Sequence, residues 1–201
     1  MVERQLRRRG ISDERVLQAM AEVPRERFVP ESERRRAYRD GALRIGEGQT
    51  ISQPWIVASM TALLELDPDD RALEVGTGSG YGAAVLSRVC REVVTIERHA
   101  SLAARARALL EELGYDNVEV RTGDGSQGAP DRAPFDGISV TATAEREPPA
   151  ALLNQLAADG FLVCPVRGSA GERLTRFSRE GKAEPVVPVR FVPLVEDAGG
   201  D

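Results

Sequence analysis

A glycine-rich turn is the first part of the sequence whose residue types could bind a ligand. In LEVGTGSGYG (residues 73 to 82) glycines alternate with small hydroxyl residues between a predicted strand and a predicted helix. Backbone N–H groups at such a turn can approach a ligand closely, although a short loop could have the same composition. A nicotinamide-binding fingerprint needs GxGxxG, and Tyr81 stands where its last glycine would be. The turn therefore favours another nucleotide-like ligand.

Acidic residues near the ends of predicted strands narrow the choice of ligand. Glu74, just before the turn, would repel a pyrophosphate but could accept hydrogen bonds from an ammonium group. Glu97 ends the next strand, where an acid commonly binds ribose hydroxyls. Glu97 could instead be an exposed carboxylate at the end of a strand, with no role in binding. Asp124 could accept from an adenine amine or simply form an Asp-Gly turn. Together these positions outline an adenosine that carries an amino acid, which is S-adenosyl-L-methionine.

The scarcity of histidine indicates which acceptor the methyl group would reach. His99 is the single histidine, so neither a histidine-based zinc site nor a Ser-His-Asp hydrolase is expected, and we expect no metal. An amine or hydroxyl acceptor usually needs a base. A carboxylate with a pKa of about 3.3–4.3 is already ionised at pH 7 and needs none.

The predicted elements place these residues at one edge of a parallel sheet. Strands alternate with helices, which indicates a sheet with helices on both faces. The predicted strands cover residues 72 to 75, 92 to 97, 118 to 121, 135 to 141 and 161 to 166, and the predicted helices cover 81 to 89, 101 to 113 and 148 to 156. Two antiparallel strands follow, in GERLTRFSRE (171 to 180) and PVVPVRFVPLV (185 to 195), joined by a turn at 181 to 182.

The part before the sheet has a different character. A cap at Ser12-Asp13 and an apolar stripe from Val16 predict an N-terminal helix, followed by a loop-rich segment and a helix starting at Pro54. We expect a helical N-terminal extension with a substrate-side loop over residues 1 to 53, packed on the core. A methyltransferase domain would cover 54 to 195, and a disordered tail 196 to 201.

Composition limits the possible partners. A length of 201 residues suits one core, and the net charge of −5 with 4% aromatic residues argues against nucleic-acid binding. No apolar run is long enough to span a bilayer. Cys90 and Cys164 form no disulfide framework. We expect a cytoplasmic monomer without membrane partners.

The sequence resembles the protein-L-isoaspartate O-methyltransferase family over about residues 1 to 195. The segments that carry the resemblance keep the family's order: RRGISDERVLQAMAEVPRERFVPE, GQTISQPWIVA, LEVGTGSGYGAAVL, VVTIER, LGYDNVEVRTGDGSQG, FDGISVTA and VRFVPLV. The resemblance implies an α/β, Rossmann-like class I methyltransferase fold. Its seven-stranded, mostly parallel sheet would follow a helical N-terminal extension and end in a C-terminal antiparallel hairpin.

The resemblance also implies a reaction. A methyl group passes from S-adenosyl-L-methionine, leaving S-adenosyl-L-homocysteine, to the α-carboxylate of an L-isoaspartyl residue in a damaged protein or peptide. The ester then collapses to a succinimide, which begins repair.

The family's site residues carry over to defined positions. Ser52 would be the active-site residue, with Thr50, Ile51 and, in VRFVPLV, Arg190 beside the substrate. The implied cofactor contacts are Gly76, Thr77, Gly78, Ser79, Gly80, Glu97, Asp124 and Gly125. From the residues alone, Thr50, Ser52 or Gln53 could instead cap the helix at Pro54. We expect Ser52 to orient the acceptor by hydrogen bonding, not to act as a covalent nucleophile.

Departures from the family's pattern leave alternatives open. Trp55, Gly82 and VTATAERE differ from the usual residues and bear on substrate range. One alternative is a carboxyl methyltransferase for an aspartate of a dedicated natural-product peptide. Others are an RNA or small-molecule methyltransferase that shares only the cofactor fold, and a non-catalytic module that binds S-adenosyl-L-methionine.

Overall fold

The computed structural model describes residues 1 to 169 and 171 to 195. The chain begins with an N-terminal extension. It comprises short helical turns at Val2–Leu6, Arg7–Arg9, Arg25–Phe28 and Glu31–Arg36, helix α1 (Glu14–Glu22), and a hairpin of β1 (Leu43–Gly46) and β2 (Gln49–Ile51). Asp13 caps α1 by accepting from the N–H groups of Arg15 and Val16. The predicted helix is confirmed, whereas the hairpin occupies a segment predicted to be loop.

The core alternates strands and helices, as predicted. In chain order it contains α2 (Pro54–Leu63), β3 (Arg71–Val75), α3 (Tyr81–Leu86), β4 (Glu92–Glu97), α4 (Ala100–Glu112), β5 (Val118–Thr122), β6 (Phe135–Val140), β7 (Ala144–Glu145), α5 (Ala150–Leu153), β8 (Leu156–Gly168), β9 (Gly171–Ser178) and β10 (Ala183–Pro188). Every helix of the described residues is too short or too polar to cross a bilayer.

The sheet has the order β10-β9-β8-β6-β3-β4-β5, and the two-residue strand β7 pairs with β8. From β8 to β5 the neighbours run parallel, whereas β8, β9 and β10 are antiparallel. The predicted seven-stranded, mostly parallel sheet with a C-terminal hairpin is confirmed, with β7 as a short addition.

Apolar runs explain why the parallel strands form the centre. Ala72 and Leu73 of β3, Val93 and Val94 of β4, and Ile138 of β6 are all fully buried. Strands that are covered on both faces read as continuous apolar segments. After β3 the chain adds β4 and β5 on one side and then returns to place β6 on the other. Such a reversal opens a crevice at the carboxyl ends of the strands.

Several predicted boundaries were wrong. The helix expected over 81 to 89 ends at Leu86, and the one expected over 148 to 156 ends at Leu153, because β8 already begins at Leu156, five residues earlier than expected. The last strand, expected to reach residue 195, ends at Pro188. Val189 N–H still bonds to Glu172 O, and Pro193 then forms a parallel bridge with Thr143. The tail predicted to be disordered, residues 196 to 201, lies outside the described residues.

The cap of α1 gives a stability prediction. We expect Asp13→Ala to lower the free energy of unfolding by about 1 kcal/mol, because two N–H groups lose their acceptor. Urea denaturation of the purified protein measures the difference. Ser12→Ala is the matched control, since Ser12 is exposed and precedes the capping residue. Equal stability of the Asp13 variant and the parent would contradict the role of this cap.

Candidate active site

The largest part of the predicted site lines one cavity at the carboxyl ends of β3, β4 and β6. Its volume is about 610 Å³, within the range usual for small-molecule sites. Its wall includes these residues proposed from the sequence: Thr50, Ile51, Ser52, Gly76, Thr77, Gly78, Ser79, Glu97, Gly125 and Arg190. The fold thus brings together residues that lie up to 140 positions apart in the chain.

The glycine turn connects β3 to α3 through positive φ angles. Gly76 has φ +95°, and a Cβ atom there would lie 2.2 Å from Thr141 Oγ1. Thr141 donates from this hydroxyl to the Gly76 carbonyl at 2.8 Å. Only glycine therefore suits this position. Thr141, which follows β6, also lines the cavity, and sequence reasoning missed it because its role depends on the pairing of β6 with β3.

Glu97 is held against the turn. One carboxylate oxygen accepts from Gly78 N–H at 2.8 Å, and the other accepts from His99 N–H at 2.9 Å. The side chain lies at the cavity wall with only 5% of its surface exposed, which excludes the alternative of an exposed strand-end carboxylate. Each carboxylate oxygen has a further lone pair that could accept from a ligand hydroxyl.

Glu74 lies deeper in the same wall. Its carboxyl accepts from Thr95 Oγ1 at 2.7 Å, and Thr95 in turn contacts Thr77 Oγ1 at 2.7 Å. Burial raises the pKa of Glu74 to about 8, and the hydrogen bond from Thr95 opposes this rise. A Cβ atom on Gly82 would lie 2.1 Å from Glu74 Oε1. The glycine that departs from the family's pattern therefore makes room for this carboxyl.

Two of the predicted cofactor residues, Gly80 and Asp124, are not among the described residues that line the cavity. Gly80 begins α3 with φ +89°. The Asp124 carboxylate accepts from the N–H and the hydroxyl of Ser126 at 2.9 Å each, and so caps the turn Gly125–Gln127. Direct contact of either residue with a cofactor stays a prediction.

The opposite wall contains the Ser52 segment, which we define as residues 48 to 55. Gln53 is the N-cap residue of α2, and its side chain makes no capping hydrogen bond. The structure therefore does not support a capping role for Thr50, Ser52 or Gln53. Ser52 is half-buried at the cavity wall, next to a helix N-terminus where an anion is favoured.

The rest of this wall is the C-terminal strap, defined as residues 188 to 195. Backbone hydrogen bonds of 2.8 Å join Thr143 N–H to Val192 O and Leu194 N–H to Thr143 O. The strap presents the exposed Arg190 to the cavity. Sequence reasoning had assigned this segment to a strand.

Glu172 at the start of β9 holds the strap in place. Its Oε2 atom accepts from Phe191 N–H and from Thr143 Oγ1, each at 3.1 Å, and its Oε1 atom accepts from Arg167 at 2.7 Å. The hydrogen bond from Arg167 holds the pKa of Glu172 below its usual range. Sequence reasoning missed Glu172, because nothing in GERLTRF distinguishes it from a surface carboxylate.

Residues 1 to 169 and 171 to 195 contain no group of three or more histidine, cysteine or acidic residues placed to hold a metal ion.

Comparisons with known proteins find relatives over nearly the whole chain. The family model described as protein-L-isoaspartate(D-aspartate) O-methyltransferase matches residues 1–199. A protein-L-isoaspartate O-methyltransferase from Roseiflexus castenholzii is 58% identical over 191 residues, 94% of this chain and 87% of that relative. One from Pelotomaculum thermopropionicum is 53% identical over 203 residues, 99% and 88% of the two chains.

A solved structure shows the same architecture. It is a Plasmodium falciparum protein described as a protein-L-isoaspartate O-methyltransferase, in complex with S-adenosyl-L-homocysteine. The TM-score is 0.82 at 26% identity, and the match covers 98% of this chain and 97% of that one.

Burial of Glu74 predicts a pH-dependent stability. The folded protein keeps the proton of Glu74 up to about pH 8, whereas the ordinary pKa of this carboxyl is 4.5. Ionisation therefore opposes folding progressively as the pH rises between these values. We expect the Tm of Glu74→Gln, relative to the parent, to increase on the order of 5 °C between about pH 5 and about pH 8.5.

Calorimetry at the two pH values measures this change. Glu111→Gln, which removes an exposed carboxylate on α4, controls for the loss of charge alone. A Tm difference that is the same at both pH values would refute the prediction.

Proposed function

The chain belongs to the protein-L-isoaspartate(D-aspartate) O-methyltransferase family, and on this premise we propose which of its residues carry the family's reaction. The enzyme transfers a methyl group from S-adenosyl-L-methionine to the α-carboxylate of L-isoaspartyl residues in damaged proteins and peptides. The methyl–sulfur bond breaks as the methyl–oxygen bond forms, and S-adenosyl-L-homocysteine leaves. The methyl ester then closes to a succinimide, so the protein initiates repair. The observation that carries the proposal is the single cavity that joins the glycine turn to the Ser52 segment.

The turn side of the cavity fits the cofactor. When bound, S-adenosyl-L-methionine supplies a methyl group already activated by its sulfonium. We assign the ribose hydroxyls to Glu97, whose oxygens are fixed by Gly78 and His99. Glu74 would face the ammonium group, since a buried carboxyl with a raised pKa gains most from a nearby cation. The remaining proposed contacts are Gly76, Thr77, Gly78, Ser79, Gly80, Asp124 and Gly125.

The opposite side fits an anionic acceptor. An isoaspartyl α-carboxylate is ionised at neutral pH and needs no general base, so the protein's task is to hold it in line with the methyl group. We assign the hydrogen bond that orients it to the Ser52 hydroxyl, supported by the N-terminus of α2. Thr50, Ile51 and Arg190 form the surrounding contact surface. Orientation of this kind can lower a barrier by up to ~7–11 kcal/mol.

We also propose the substrates, the location and the oligomeric state of the enzyme. Isoaspartyl-containing proteins or peptides are its substrates, and we place it in the cytoplasm as a monomer without nucleic-acid or membrane partners. The net charge of −5 supports the exclusion of nucleic acid. Cys90 and Cys164 are both buried and unpaired, as expected of a reducing compartment.

Methylation of matched peptides tests the reaction and the role of Ser52. We expect base-labile label from S-adenosyl-L-methionine in a peptide with L-isoaspartate and none in the same peptide with aspartate. Ser52→Ala should lower kcat/KM for the isoaspartyl peptide by about 10- to 100-fold, the value of a hydrogen bond to a charged group, with unchanged cofactor affinity.

The control for Ser52 is Ser101→Ala, which removes an exposed hydroxyl that is bonded to Glu47. Label in the aspartyl peptide alone would redirect the search to a dedicated peptide substrate. Full activity of the Ser52 variant would refute the assigned role.

The strap gives a separate prediction. Glu172→Ala removes the acceptor for Phe191 N–H and Thr143 Oγ1, so we expect a KM for the isoaspartyl peptide about tenfold higher, and a cofactor Kd within about twofold of the parent. Steady-state kinetics and equilibrium binding measure the two constants.

Glu172→Gln should lie between Glu172→Ala and the parent, because its amide oxygen still accepts from Phe191 N–H and Thr143 Oγ1, whereas its amide nitrogen cannot accept from Arg167. Glu180→Ala, an exposed residue of the same hairpin that accepts from Ser178, is the matched control. A parent-like KM for the alanine variant would show that Glu172 does not position the strap for substrate.

A further inference from the structure

A fully buried arginine lies directly behind the Ser52 segment. Arg25, on the turn Arg25–Phe28, is 0% exposed. Its Nε atom donates to Ala37 O and its Nη2 atom donates to Ser52 O, both at 2.7 Å. The guanidinium also stacks over the Tyr81 ring, with 4.7 Å between Cζ and the ring centroid. Neither the charge nor the fork of donors lies at the surface.

The charge of Arg25 is poorly compensated. Its Nη1 atom is buried without a hydrogen-bond partner among the residues that the structure describes. The ionisable side chains that act on the guanidinium are Tyr81 and Tyr38, and no carboxylate is among them. Burial lowers the pKa of Arg25, although a guanidinium still stays protonated at any physiological pH. A buried charge of this kind costs stability, and an apolar side chain often does better.

The contacts of Arg25 connect the two halves of the site. Ser52 lies in the part of the cavity wall that we propose to hold the acceptor. Tyr81 is the first residue of α3, directly after the glycine turn. A planar guanidinium can hydrogen-bond two carbonyl groups in fixed directions while it stacks on a ring, whereas the compact ammonium of a lysine has no such planar set of donors. Arg25 therefore contacts both the Ser52 segment and the residue that directly follows the glycine turn.

We propose that Arg25 is a positioning residue for methyl transfer, which holds the Ser52 backbone against Tyr81 so that the Ser52 hydroxyl meets the acceptor carboxylate. The inference rests on the role of Ser52 proposed above. A displacement of a reacting group by about 1 Å can cost a factor of about 10² in rate. The loss of Arg25 should therefore act through Ser52 and spare the cofactor.

A double-mutant cycle tests this dependence. Arg25→Met and Arg25→Lys should each lower kcat/KM for an isoaspartyl peptide by about tenfold or more, with the Kd of S-adenosyl-L-methionine within about twofold. In the Ser52→Ala background the same changes should lower kcat/KM by less than about threefold. Arg27→Met is the matched control, since Arg27 lies on the same turn and pairs with the exposed Glu112.

The outcomes separate the two proposals. If Ser52→Ala is impaired but the Arg25 effects multiply with it, Arg25 acts on the fold and the inference is wrong. If Ser52→Ala is fully active, the role proposed for Ser52 fails first and the inference fails with it. If Arg25→Met does not fold, Arg25→Lys completes the cycle, because lysine keeps the positive charge but lacks the planar set of N–H donors. Parent-like kinetics of Arg25→Lys would also overturn the inference.

Discussion

The parallel pairing of β3 with both β4 and β6 is the constraint on which the rest of the site depends. Strand order reverses at β3, so the carboxyl ends of these strands open into one crevice. The glycine turn begins directly after β3, Glu97 is the last residue of β4, and Thr141 directly follows β6. Their separation in space is fixed by a register that buried apolar residues hold, and a one-residue slip would move each of those side chains to the other face of the sheet.

The Ser52 segment and the C-terminal strap are not paired with β3, β4 or β6. Hydrogen bonds from residues that are distant in the sequence hold them in place. Arg25 holds the Ser52 segment from the N-terminal extension, and Glu172 holds the strap from β9. Each side chain binds backbone groups, which suits segments that form no extensive strand ladder of their own. On the proposed roles, the core therefore positions the cofactor side of the site, and a few polar side chains position the acceptor side.

This division explains what the sequence could predict. The glycine turn, Glu97 and the alternation of strands and helices were predictable, because each rests on a local sequence pattern that is typical of parallel sheets. The β1–β2 hairpin was not, since its strands are only four and three residues long and its turn includes Glu47 at φ +52°. Arg25 and Glu172 read as ordinary surface charges in a sequence with abundant arginine and glutamate, and only tertiary packing gives them partners.

The two buried ionisable groups show how the halves complement each other electrostatically. Glu74, beside the turn, keeps its proton near neutral pH unless a cation lies close by. Arg25, behind Ser52, keeps its charge with no carboxylate acting on it among the described residues. Each is unfavourable in the protein alone, and each favours a ligand of the opposite charge. On the proposed roles, Glu74 lies in the wall on the cofactor side of the cavity, and Arg25 lies behind the wall on the acceptor side. A cationic methyl donor is favoured near the first group and an anionic acceptor near the second, which suits transfer of the methyl group between them.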